Sequence, residues 1–145
     1  MADRIDALEP LIGEWAIEPR FERVEVPRDA SGRTTFEWMP GKRFVIQRWE
    51  ISVPEAPDGL ALLGPHEDRD GLVQHYFDSR GVHRVYDMTL EDGVWTLERL
   101  HPGFDQRYTG TFSDDRSRIE GAWEMRNDAD WFKDFELDYV RLTSS

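Results

Sequence analysis

Arg84 stands between Val82 and Tyr86 in the run Val82-His83-Arg84-Val85-Tyr86-Asp87-Met88. If that run is a strand, its even positions share one face, and the apolar members turn that face inward. A guanidinium carried inside stays protonated and needs an anion. Two partners would satisfy it, an internal carboxylate or the acid group of a bound ligand. Tyr86 adds a hydroxyl beside it, and Tyr108, Trp123 and Tyr139 lie on inward positions of other expected strands. Rings of this kind bury the body of a small apolar or amphipathic molecule, while guanidinium and phenol satisfy its oxygens. His75 is the histidine nominated to join this ligand-binding set, and Arg84 is its anchor.

Other chemistries find less support. His66, His75, His83 and His101 show no H-x-H or H-E-x-x-H spacing. His75 and His83 fall on neighbouring strands and can approach each other, but a metal needs three or four converging ligands. These histidines therefore read as surface or rim residues. Asp87, Glu98 and Glu124 could act as general acids or bases if buried, yet alternation places them outward. Ser31, Ser79 and Ser117 lie in turns without a G-x-S-x-G elbow. There is no phosphate loop, and Asp68-Arg69-Asp70-Gly71 lacks the remaining ligands of a calcium loop and reads as a turn. No catalytic residue, metal or cofactor is assigned.

The elements that position these residues are strands. The 145 residues suit one domain, 1–145, and six Trp, eight Phe and four Tyr supply a core despite the 33% charged residues. Thirty acidic against eighteen basic side chains give a formal charge of −12, which argues against nucleic acid and anionic membrane as partners. Nothing in the chain signals an oligomeric state. The absence of cysteine removes disulfides and thiolate chemistry. The start of the chain lacks the apolar stretch of a signal peptide and no apolar run reaches spanning length, so a cytoplasmic location is expected.

Ile5, Leu8 and Leu11 recur at helical spacing, with Asp3 as a cap and Glu9-Pro10 near the end. Beyond this one short helix, turn signals arrive every ~8–12 residues, the mark of an all-β sandwich or barrel. Strands are expected at about 13–19, 33–39, 43–53, 59–64, 71–78, 82–90, 93–100, 104–113, 117–127 and 131–142. Hairpin turns are expected at Met39-Pro40-Gly41-Lys42, Asp78-Ser79-Arg80-Gly81, Glu91-Asp92-Gly93 and Ser113-Asp114-Asp115-Arg116. Clean alternation turns Phe104, Gln106, Tyr108 and Phe112 inward, then Ile119, Gly121, Trp123 and Met125, then Phe135, Leu137, Tyr139 and Arg141. Segments 43–53 and 71–78 carry apolar residues on both parities and have no assignable face.

Trp15 on the first strand and Arg141 on the last suggest how such a sheet closes. A guanidinium stacked on a buried indole contributes about 0.5–2 kcal/mol and can seal one end of a barrel. The pair reads as a structural plug, or alternatively as the floor of a ligand cavity.

The helix followed by Gly13-x-Trp15, the hairpin Trp38-Met39-Pro40-Gly41-Lys42-Arg43-Phe44, the stretch Tyr76-Phe77-Asp78-Ser79-Arg80-Gly81 and the terminal Tyr139-Val140-Arg141 resemble a calycin. The resemblance is to a bacterial group of lipocalin-like domains of unknown function, related to nitrobindin-type and fatty-acid-binding-type barrels. It implies an up-and-down antiparallel barrel of about 8–10 strands whose interior can hold one small ligand. The late histidine through which nitrobindin-type barrels bind haem has no counterpart, since the last histidine is His101. Arg84 and Tyr139 are chemically similar to the carboxylate grip of fatty-acid-binding barrels, without an alignable motif. The expectation is a small-molecule-binding barrel. Its alternatives are an isomerase, cyclase or hydrolase working in the same cavity through His75 and Tyr86, or a solid-cored scaffold for protein interaction.

Overall fold

Alternating apolar residues and tight turns fold the chain into ten strands around one interior. The computed structural model describes residues 4–21, 32–52, 57–68, 70–126 and 130–143. A 3-10 helix, Arg4–Leu11, precedes β1 (Gly13–Phe21), β2 (Gly32–Trp38), β3 (Val45–Ile51), β4 (Gly59–Pro65) and β5 (Leu72–Asp78). Then follow β6 (His83–Glu91), β7 (Val94–Arg99), β8 (Asp105–Phe112), β9 (Arg118–Arg126) and β10 (Phe132–Thr143). Each strand pairs antiparallel with its sequence neighbour, and β1 pairs with β10, so the sheet closes as an up-and-down barrel. Closure leaves no free edge for another strand to extend.

The expected helix is present but tighter than an α-helix. In a 3-10 helix residues three apart eclipse one another, which lines up Ile5, Leu8 and Leu11 and buries both leucines completely. Asp3, the expected cap, lies outside the described residues. All four expected hairpin turns form. Asp92 and Gly93, with φ of 52° and 77°, make the two-residue link from β6 to β7 in the left-handed backbone that such links require.

Strand direction defines two ends. The helix and the turns after β2, β4, β6 and β8 lie at one, the helix end. The connections after β1, β3, β5, β7 and β9 lie at the other, the far end. Of these, 22–31, 53–56 and 127–129 fall outside the described residues, as does Ser31.

The helix-end half is filled. Leu8, Leu11, Trp15, Phe36, Val45, Leu63, Leu90 and Trp95 are all buried there. Trp15 donates its indole N–H to the Leu11 carbonyl at 2.9 Å and meets Phe112 edge-on. The Arg141 guanidinium lies 4.1 Å from the Trp15 ring centre. Its remaining hydrogens go to the backbone, with Nη1 donating to Ile12 O at 2.9 Å, Nη2 to Pro10 O at 2.7 Å and Nε to Arg116 O at 3.1 Å. Burial, and secondarily Arg116, shifts the Arg141 pKa downward. The pair plugs the end and ties the helix across it.

Candidate functional site

Polar side chains enter the barrel toward the far end. The two strands whose sequence gave no face resolve in the register. β3 turns Val45, Gln47, Trp49 and Ile51 inward, and β5 turns Leu72, Gln74, Tyr76 and Asp78 inward. Thr34 and Gln47 satisfy one another in the middle of the barrel, Thr34 donating to Arg48 O and Gln47 Nε2 to Thr34 Oγ1.

On β6 the even positions face inward as expected, with Tyr86, Met88 and Leu90 buried and Val85 exposed. Arg84 is half-buried on that inner face. Its Nη1 donates to Gln106 Oε1 at 3.3 Å, and the same oxygen accepts the Tyr86 hydroxyl at 3.3 Å. Both bonds are long for their kinds. The Arg84 guanidinium also lies 5.3 Å from the Phe104 ring centre. Arg99, two places beyond inward Leu97 on β7, stands opposite Gln106 in the register, and its Nη1 is buried without a partner. Burial raises the Tyr86 pKa against the opposing pull of Arg84 and Arg99, so the phenol keeps its proton. Two guanidiniums, one phenol and one amide thus share a patch of inner wall.

The inward carboxylate at this end is already engaged. Asp78 accepts from the Tyr76 hydroxyl at 2.6 Å and from Arg80 Nη2 at 2.7 Å. Burial alone would raise its pKa, but the bonds from Arg80, Tyr76 and the backbone of Arg80 and Val82 hold it well below the usual carboxylate range. Among the described residues, neither Arg84 nor Arg99 forms an ion pair.

Aromatic rings continue from this patch. Trp49 stacks on Tyr76 at 5.3 Å, Tyr76 meets Tyr86 edge-on at 6.2 Å, and Tyr86 meets Trp123 at 5.6 Å. Trp49, Tyr76 and Trp123 are only half-buried although they face inward.

The residues singled out in the sequence therefore separate into three groups. Arg84, Tyr86 and Trp123 come together at the far end. Tyr108 and Tyr139 also face inward but pack deeper, against Trp95 at 5.3 and 5.7 Å. Tyr108 donates its hydroxyl to Leu137 O at 3.0 Å, and both phenols have pKa values raised by burial. Both back the patch, and the Tyr108 hydroxyl is committed to that carbonyl.

His75 is the correction. It pairs with Leu62 and Val85 at outward positions, because Gln74 and Tyr76 on either side take the inner face. There its ring lies parallel to His83 at 6.2 Å, so the two histidines do approach, on the outer wall. Asp87, Glu98 and Glu124 also lie outside, the last paired with Arg107. An interior reaction through His75 has no residue to run on. Among the described residues no group of three or more His, Asp or Glu could hold a metal, and no helix is long and apolar enough to cross a membrane.

Arg99 and Gln74 were not singled out from sequence. Arg99 was legible in principle, since Trp95 and Leu97 set an inward parity that Arg99 continues. A separate hollow of about 520 Å³ lies at the helix end between the helix and two hairpins. Asp6, Glu9, Asp92 and Asp114 rim it, with Arg116, and that balance disfavours anions.

A ten-stranded closed antiparallel barrel, filled at one end and polar with an aromatic rim toward the other, fits the calycin-like class of barrels. Among solved structures the chain is similar to the crystal structure of Rv2717c from M. tuberculosis, with a TM-score of 0.63 and 17% identity over 99% of each chain. That likeness is one of fold. No protein-family model matches the sequence, and no curated protein does.

Proposed function

We propose that this protein is a binding barrel for a small amphipathic molecule with an anionic group, held in the far half of the interior. Arg84 receives the anionic oxygens, Tyr86 donates a further hydrogen bond, and Trp123, Tyr76 and Trp49 cover the apolar body. The observation that carries this reading is the pair of inward guanidiniums without a carboxylate partner among the described residues. A half-buried charge without a counter-ion has lost part of its hydration, and an anionic guest offsets that cost. The long bonds to Gln106 are weak enough to exchange for ligand oxygens.

Titration with dodecanoate and with 1-naphthoate, followed by tryptophan fluorescence, tests the reading. Saturable binding is expected for at least one of them. A hydrogen bond to a charged group contributes about 1.5–3 kcal/mol, so Arg84→Met should weaken binding by about 10- to 100-fold. Absent binding, or binding indifferent to Arg84→Met, would defeat the proposal.

A further inference from the structure

We infer that the anionic group of the ligand is doubly charged, a phosphate monoester type of head, and that Arg99 selects it. This rests on the binding reading above and goes beyond it. Arg84 on β6, Arg99 on β7 and Gln106 on β8 occupy three adjacent strands, with Arg99 on the middle one. Arg84 bonds Gln106 Oε1, and Arg99 faces Gln106 in the register. Both arginines act on the Tyr86 phenol. Among the described residues the inner wall at this end therefore holds two positive charges, because the Asp78 charge is matched by Arg80.

A single carboxylate would neutralise one guanidinium and leave the other uncompensated. A phosphate monoester carries about −1.5 to −2 charges at pH 7 and presents three acceptor oxygens. Planar guanidinium forks match such oxygens. The donors that could meet them are the Arg84 fork, the Tyr86 hydroxyl and Arg99 Nη1, a buried donor with no partner among the described residues. A buried donor without a partner among the described residues is hydrogen-bonding capacity for an anionic guest.

The test compares 1-naphthyl phosphate with 1-naphthoate by isothermal titration calorimetry, on the wild type and on Arg99→Met. The phosphate should bind the wild type at least tenfold more tightly than the carboxylate. Arg99→Met should bring the two within about threefold, chiefly by weakening the phosphate. The unliganded variant should melt no lower than the wild type, because it loses a charge that no described carboxylate compensates. Equal or tighter binding of 1-naphthoate to the wild type overturns the inference and leaves the binding reading standing. Loss of both ligands from the wild type overturns both. An undiminished phosphate preference in Arg99→Met shows that Arg99 does not select the ligand, and a variant that melts well below the wild type overturns the premise that its charge lacks a partner.

Discussion

Replacing Trp15 with alanine removes one of the two buried indoles of the closed end, and the structure sets the scale of the loss. Truncating a buried aromatic residue costs about 3–5 kcal/mol. Trp15 belongs at the upper end of that range, because it also loses its bond to Leu11 O, the edge contact with Phe112 and the stacked Arg141. At a urea dependence of about 2 kcal/mol per molar, a loss of about 4–5 kcal/mol lowers the midpoint by about 2 M. Equilibrium urea unfolding followed by far-ultraviolet circular dichroism reads this directly. Arg141→Met keeps the stem of the side chain, which from sequence alone makes it the milder change. The three backbone carbonyls it binds raise its expected cost to about 2–3 kcal/mol. Because the two side chains touch at 4.1 Å, the double variant should lose less than the sum by at least about 0.5 kcal/mol. A midpoint shift below about 0.5 M for Trp15→Ala, or strict additivity of the pair, would refute the account of closure.

Three further outcomes are expected. Asp78→Asn should cost about 2–3 kcal/mol near neutral pH. Since the folded carboxyl titrates below its ordinary value, its contribution is present above about pH 4 and lost as pH falls. The variant should therefore show a shallower acid loss of stability in unfolding curves taken from pH 7 downward, and an unchanged acid limb would contradict this. Gly121→Ala should destabilise by about 1–3 kcal/mol, because its Cβ would run onto the Tyr108 hydroxyl and within 2.8 Å of Thr109 O. Combined with Tyr108→Leu in the same thermal-melt assay, it should cost less than the sum. Purified protein mixed with haem should show no stoichiometric Soret band of an axially ligated iron, because His75 and His83 lie on the outer wall, His101 is exposed and His66 lies beside outward Asp87. One tightly held haem per chain would contradict the histidine placement.

The sequence made the frame legible because each strand carries its own signal. All ten expected strands form, with ends displaced by one or two residues, and the Asx- and glycine-bearing turns join them. Legibility failed where polar side chains were turned inward. In β3 and β5, Gln47 and Gln74 occupy core positions, while Ile46, Val73 and Phe77 take the opposite parity, Val73 being buried there as well. Reading apolar residues as inward then gives no consistent parity. His75 was misplaced for that reason. Its face follows from Gln74 and Tyr76, and only the pairing with β4 and β6 fixes theirs. Arg84 could be placed because Tyr86, Met88 and Leu90 follow it with one parity. Its relation to Arg99 and Gln106 depends on how three strands align, which no single stretch of sequence contains.

Native mass spectrometry of the protein, purified under gentle conditions from its own host, tests the central claim most directly. Wild-type protein should carry a discrete small-molecule adduct that fragments to an anionic species. The Arg84→Met/Arg99→Met double variant, folded by circular dichroism, should appear at its bare mass. A wild type that appears only at its bare mass, or an adduct kept in full by the double variant, would contradict the claim that the two inward arginines hold a ligand.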